Sequence, residues 1–124
     1  MILTMLQVAF GGAVGASLRF ASGIAISRLT GPGFPVAVMS VNVFGSFLMG
    51  ACAVIATEHG LSHWQPFVMT GLLGGFTTFS TFSLETITLF KRGQTNAAAL
   101  YVVASVTLSL LGLVGGISIV RILV

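Results

Sequence analysis

The chain has few ionisable residues and very few acidic ones. Its 124 residues include no aspartate, two glutamates (Glu58 and Glu85), five Lys or Arg and one cysteine, Cys52. Because no carboxylate pair is available for acid–base catalysis, the sequence predicts that the protein is not an enzyme. A single cysteine excludes an intrachain disulfide, and its apolar segment favours a small apolar role. The net charge of +3 comes without any basic run, so no nucleic-acid partner is expected.

Apolar residues dominate what is present. Hydrophobic residues make up 56% of the chain and charged residues 6%, and the mean hydropathy is +1.10. We therefore expect an all-α integral membrane protein. Four segments exceed the ~20 residues that a membrane helix needs: residues 2–27, 36–57, 66–90 and 97–120. The sequence predicts one four-helix transmembrane domain over residues 1–124, and the early apolar run without Lys or Arg favours mature chain from Met1 over a signal peptide.

Small residues recur four apart along these segments, which favours close helix packing. Four helices of this length bury little surface within one subunit, so we expect the protein to oligomerise. The pairs are Gly11 and Gly15, Gly12 and Ala16, Ser46 and Gly50, Gly71 and Gly75, and Gly112 and Gly116.

Basic residues give a weak orientation signal. With four spans, Arg28, Lys91 and Arg92 lie on one side of the membrane and Arg121 on the other. The bias favours a cytoplasmic location for the loop that contains Lys91, but it is compatible with insertion in both orientations.

Residues 71–85, GLLGGFTTFSTFSLE, place glycines, hydroxyls and a carboxylate inside the third span. Gly74 and Gly75 weaken helical geometry, and unwound backbone at membrane depth requires burial in protein or a hydrated cavity. Its carbonyls are then candidate cation ligands. Phe79 and Phe82 lie three apart on one helical face, with ring edges that carry positive charge. The alternative is a helix kink satisfied by nearby hydroxyls, with phenylalanines that only pack.

Polar residues elsewhere allow two interpretations each. Asn42 begins a polar and small stripe along one face of the second span, where its amide either bonds another helix or points into a pore. His59 and His63 lie four apart beside Glu58, a spacing found in metal sites, but two ligands on a short loop favour a hydrated loop anchored by Trp64.

The string GLLGGFTTFSTFSLE, with NVFGS in the second span and an early segment ending in SLRF, resembles the Fluc-type (CrcB-like) fluoride channels over essentially the whole chain. The resemblance implies an antiparallel, dual-topology homodimer with a break near the middle of the third helix. It also implies two fluoride pathways near the subunit interface and a structural Na⁺ on the two-fold axis. Backbone carbonyls of Gly74 and Thr77 would hold that Na⁺.

The resemblance also implies the residues of the fluoride pathway. Ring edges, an amide and hydroxyls would replace the water around the ion; they belong to Asn42, Phe79, Phe82, Ser80, Thr81, Ser83, Tyr101, Ser105 and Ser109. Val38 stands where some relatives carry threonine. Arg19, matched to an arginine near the end of the first helix, and Glu85 would be vestibule or structural charges.

These features predict a passive fluoride-selective channel in a bacterial-type inner membrane, which exports fluoride and so relieves its toxicity. Its partners would be fluoride, the lipid bilayer and an inverted second copy of the chain. One alternative is a proton-coupled exporter like the small multidrug transporters, which carry an acid in the first helix; here that span holds Arg19, and only Glu85 could carry the proton. Another is a non-transporting anchor subunit, which gives no reason for a broken third helix.

Overall fold

The computed structural model describes all residues, Met1–Val124, and it is helical throughout. The helices are α1 (Ile2–Thr30), α2 (Val36–Glu58), α3 (Gly74–Phe76), α4 (Phe79–Lys91) and α5 (Thr95–Leu123). A 3₁₀ turn (Ser62–Trp64) and a π-helix (Pro66–Leu73) precede α3. Four stretches are long and apolar enough to cross a membrane, namely α1, α2, Ser62–Lys91 and α5. The four predicted spans are therefore confirmed, with ends that differ from the prediction by a few residues.

The chain folds as two pairs of helices, and close contacts at glycines join the two helices of each pair. On one side α1 packs against the third span: a Cβ at Gly15 would collide with the carbonyl of Leu72, and one at Gly75 would lie 2.7 Å from Gly12 O. On the other side α2 packs against α5, where a Cβ at Gly50 would collide with Leu113 O. The glycine pairs predicted to mediate close packing thus do so inside the protomer.

Little of the protomer is buried. Only 16 of its 124 residues are buried, and α1 contributes Gly11 and Gly15 alone. A core cluster lies between α4 and α5 and contains Phe82, Leu89, Ala98 and Tyr101. Long apolar helices with so much exposed surface suit a chain surrounded by lipid or by further subunits.

The third span departs from regular α-helix in two places. Its first half is π-helical over eight residues, which the sequence did not predict. Gly74 and Gly75, expected to weaken the helix, are themselves helical, and the extended residues are Thr77 (ψ 157°) and Thr78 (φ −150°, ψ 122°). Gly75 is needed for the close approach to Gly12, whereas Thr78 caps the next helix by accepting a hydrogen bond from Thr81 N at 3.2 Å.

Candidate functional site

Asn42 on α2 is bonded to the extended segment of the third span. Its Nδ2 donates to Thr78 O at 2.9 Å, and Thr78 N donates to its Oδ1 at 2.8 Å. Of the two interpretations of Asn42, the structure shows the bond between helices. Because a side-chain amide has two N–H groups, one remains for a further acceptor.

These bonds change which carbonyls of the third span are satisfied. In a continuous α-helix, Gly74 O would accept from Thr78 N, and Thr77 O from Thr81 N. Here Thr78 N donates to Asn42 and Thr81 N to the Thr78 hydroxyl, so both carbonyls lose their helical donors. Such carbonyl oxygens can replace the hydration shell of a hard cation. The donor set therefore fits the Na⁺ that the resemblance implies.

Arg19 satisfies a neighbouring carbonyl of the same segment. Its Nε donates to Gly75 O at 3.1 Å. The resemblance matched Arg19 to an arginine near the end of the first helix. Here α1 continues to Thr30, so Arg19 lies inside the helix. The guanidinium thus reaches the third span from the helix that packs against it.

A groove of about 270 Å³, lined by both polar and apolar residues, runs along this segment between α2, α4 and α5. Six residues predicted for the pathway or the cation site line it: Asn42, Thr77, Phe79, Phe82, Ser105 and Ser109. The other lining residues are Gly45, Ser46, Met49, Thr78, Val106 and Leu113. The Oγ of Ser105 is buried and has no hydrogen-bond partner. A buried hydroxyl without a partner is costly unless a ligand or water occupies the groove.

The two phenylalanines occupy different environments. Phe82 is 8% exposed and packs against the ring of Tyr101, with 5.2 Å between centroids. Phe79 is 74% exposed, although its ring lies only 5.4 Å from that of Phe82. One ring therefore lies inside the protomer, and the other stands at the open edge of the groove.

The hydroxyls that follow Thr78 lie outside the groove lining. Ser83 donates to Phe79 O at 3.0 Å within α4, and Ser80 is exposed with its Oγ 3.4 Å from the Thr78 hydroxyl. Thr81 accepts from the Thr78 hydroxyl at 3.2 Å and faces a second cavity. The structure therefore does not bring these three predicted hydroxyls together with Ser105 and Ser109.

The second cavity, of about 530 Å³, contains the predicted charges. Arg19, Arg28 and Glu85 line it, and Thr78 and Thr81 connect it to the extended segment. Tyr101 is fully buried, and its hydroxyl lies 3.5 Å from Glu85 Oε1, a long distance for a hydrogen bond. The lining of this cavity therefore combines two guanidinium groups with one carboxylate.

Sequence reasoning gave too little weight to Thr78 and Ser46. Thr78 joins Asn42, caps α4 and borders both cavities. A threonine directly before a helix start is the usual signal for such a cap. Ser46, noted in the stripe that begins at Asn42, lines the groove.

The polar residues between α2 and the π-helix do not share a helix. His59 follows the last residue of α2 as its C-terminal cap, whereas His63 belongs to the 3₁₀ turn, with its ring centroid 5.7 Å from that of Trp64. Cys52 lines a separate apolar cavity with Trp64 and Met69. The spacing of the histidines along the sequence therefore does not place both imidazoles on one helical face.

Four apolar spans around a groove that contains an amide and several hydroxyls define a small helical membrane protein with a candidate ion path. Residues 6–117 match the family described as CrcB-like protein, Camphor Resistance (CrcB). The chain belongs to this family.

Its relatives cover nearly the whole chain. A protein of Ruegeria sp. (strain TM1040) is 55% identical over 122 residues, 98% of this chain and 97% of its own length. One of Roseobacter denitrificans is 57% identical over 120 residues, 95% of each chain, and one of Rhodospirillum centenum is 46% identical over 123 residues, 94% of each. All three are named fluoride-specific ion channel FluC. These relatives confirm the resemblance to the fluoride channels. They also confirm the predictions of a multi-pass bacterial membrane protein and of a protein that is not an enzyme.

Proposed function

We propose that the protein is a passive fluoride-selective channel that exports fluoride across a bacterial inner membrane. The observation that carries the proposal is the groove along the third span, where the Asn42 amide lies together with Ser105 and Ser109. Relatives that cover nearly the whole chain are named fluoride-specific ion channels, which supports the same function.

The groove supplies donors of the kind that a small anion needs. Fluoride holds its water strongly, so a selective path must replace that water with fixed donors. The remaining N–H of Asn42 and the hydroxyls of Ser105 and Ser109 are such donors, and the Phe82 ring edge adds positive charge. The N-terminus of α4 also lies at the groove. The first amides of this helix add a partial positive charge there.

The carbonyls of Gly74 and Thr77 support a structural Na⁺. Gly74 lies in α3 just before the interruption of the third helix, which we take to be its functional break, and Thr77 lies within this interruption; both carbonyls lack helical donors. When bound, the ion would contribute a fixed positive charge that lowers the cost of an anion nearby. The chain's own contribution is to hold these two oxygens apart from backbone donors.

The protomer suits assembly as an antiparallel homodimer with two pathways. Phe79, which is 74% exposed, stands at the open side of the groove. A second copy over this side would cover the Phe79 ring and enclose the groove. The weak bias of the basic residues is compatible with insertion in both orientations.

Export needs no energy source besides the membrane potential. Hydrogen fluoride crosses lipid as a neutral acid and dissociates in a less acidic cytoplasm, which traps the anion. A negative interior drives each anion outward by ~2.3 kcal/mol per 100 mV. An open anion path is sufficient, so neither ATP nor a coupled ion is required.

The test is anion efflux from liposomes that contain the purified protein, followed with fluoride and chloride electrodes. We expect fast fluoride release, negligible chloride release and no requirement for a proton gradient. Comparable chloride release would contradict fluoride selectivity. Release that requires a proton gradient would instead support a coupled exporter.

A further inference from the structure

Asn42 forms two hydrogen bonds with a single residue of the third span. It accepts from Thr78 N and donates to Thr78 O, the pattern by which a β-ladder neighbour holds an extended residue. Thr78 has the matching extended conformation, with φ −150° and ψ 122°. The Asn42 side chain therefore acts as a two-point clamp on the backbone.

This clamp controls the availability of one carbonyl in particular. The helical acceptor for Thr78 N is Gly74 O, four residues earlier. Without the Asn42 Oδ1, this acceptor would be the nearest alternative along the helix, and a bond to it would engage Gly74 O. The neighbouring Gly75 O is already occupied by Arg19 Nε at 3.1 Å.

We infer that Asn42 is the positioning residue of the cation site. Its amide keeps Thr78 N–H away from Gly74 O, so that Gly74 O and Thr77 O stay available to a cation. In this role Asn42 acts through Thr78 and need not touch the ion. The inference rests on the proposed function, which places Na⁺ at these two carbonyls.

The experiment measures how Na⁺ stabilises the purified full-length protein. Thermal unfolding in detergent is followed as Na⁺ replaces K⁺ at constant ionic strength, and the Na⁺ concentration at half-maximal shift is recorded for each variant. A ligand that binds the folded state raises the unfolding midpoint with concentration. Because the readout is the concentration dependence and not the midpoint, a general loss of stability does not imitate the expected effect.

Asn42→Leu removes both hydrogen bonds and keeps four side-chain heavy atoms branched at Cγ, and Asn42→Ala removes them without added bulk. For both we expect the half-maximal Na⁺ concentration to rise about 10- to 100-fold, the usual loss when a group that orients a metal ligand is removed. If the leucine variant does not fold, the alanine variant carries the test.

Asn42→Asp is the conservative variant, since its carboxylate still accepts from Thr78 N. We expect its half-maximal Na⁺ concentration to be no higher than that of the parent. Thr57→Ala is the matched control: Thr57 lies on the same helix as Asn42, lines neither cavity, and its hydroxyl donates within α2 to Ala53 O at 2.9 Å. It should keep the parental response.

The outcomes separate this inference from the proposed function. Parental Na⁺ dependence in Asn42→Leu or Asn42→Ala would overturn the clamp, as would a loss in Asn42→Asp equal to that in Asn42→Leu. If the parent protein does not respond to Na⁺, both the proposed cation site and the proposed role of Asn42 are contradicted. Fluoride efflux from the parent, measured separately, would still decide the channel proposal.

Discussion

Removal of the Ser105 hydroxyl distinguishes a conducting role from a structural one, because the two roles predict opposite changes in stability. Ser105 is 4% exposed, and its Oγ has no partner among the residues of the chain. Ser105→Ala deletes this oxygen and keeps α5 intact, since alanine is the best helix former.

The size of each effect follows from the hydrogen bonding. A buried hydroxyl without a partner costs about 1–3 kcal/mol, so the alanine variant should be as stable as the parent or more stable by up to this amount. A hydrogen bond to a charged group contributes about 1.5–3 kcal/mol. If Ser105 donates to the ion in transit, its loss should lower fluoride flux roughly ten- to hundredfold.

The assay combines fluoride efflux from liposomes with thermal unfolding of the same preparation in detergent. Ser17→Ala is the control, because the exposed Ser17 hydroxyl is already bonded to Ala13 O at 2.8 Å within α1. It should change neither quantity. Parental flux together with lower stability in Ser105→Ala would show that the hydroxyl serves packing, and would refute the reasoning.

Three further changes test other parts of the proposal. Phe82→Ile should leave a folded dimer with strongly reduced fluoride efflux because the ring edge is lost, whereas Phe90→Ile, on a 58% exposed residue, should conduct normally. Gly15→Ala should lower the free energy of unfolding by about 1–3 kcal/mol, the usual cost of overpacking, because its Cβ collides with Leu72 O; the unfolding midpoint should fall accordingly. A cysteine at Gln94 in a Cys52→Ala background should react with an impermeant reagent from both membrane sides; one-sided labelling would exclude dual topology.

The spans could be predicted from the sequence because hydrocarbon imposes a length and a composition on each helix. Glycine spacing predicted close packing, and the structure shows Gly12 and Gly75 in contact. Glycine spacing alone could not show that these contacts lie within one chain, because a stripe of small residues does not identify the helix against which it packs.

The sequence predicted residues of the candidate site but not how they are arranged. Asn42 could be singled out because an amide at membrane depth is costly, but its bonds to Thr78, 36 residues away, depend on how α2 meets the third span. The exposure of Phe79 could not be predicted either, since Phe79 and Phe82 share one helical face in the sequence pattern. The π-helix has no simple sequence signal, and the proline at its start is compatible with any helix type.

The interruption at Thr77 and Thr78 gives one short segment two opposite electrostatic ends. Gly74 O and Thr77 O present lone pairs on its carbonyl side, while α4 begins directly afterwards and presents amide hydrogens. A continuous helix would have joined these groups to each other and left neither for an ion. In the proposed function, a cation and an anion would both be bound near the same residues, each by the backbone end that suits its charge. For this reason a substitution that lets the helix close over Thr78 should weaken cation binding and anion conduction together, although it changes neither carbonyl of the cation site.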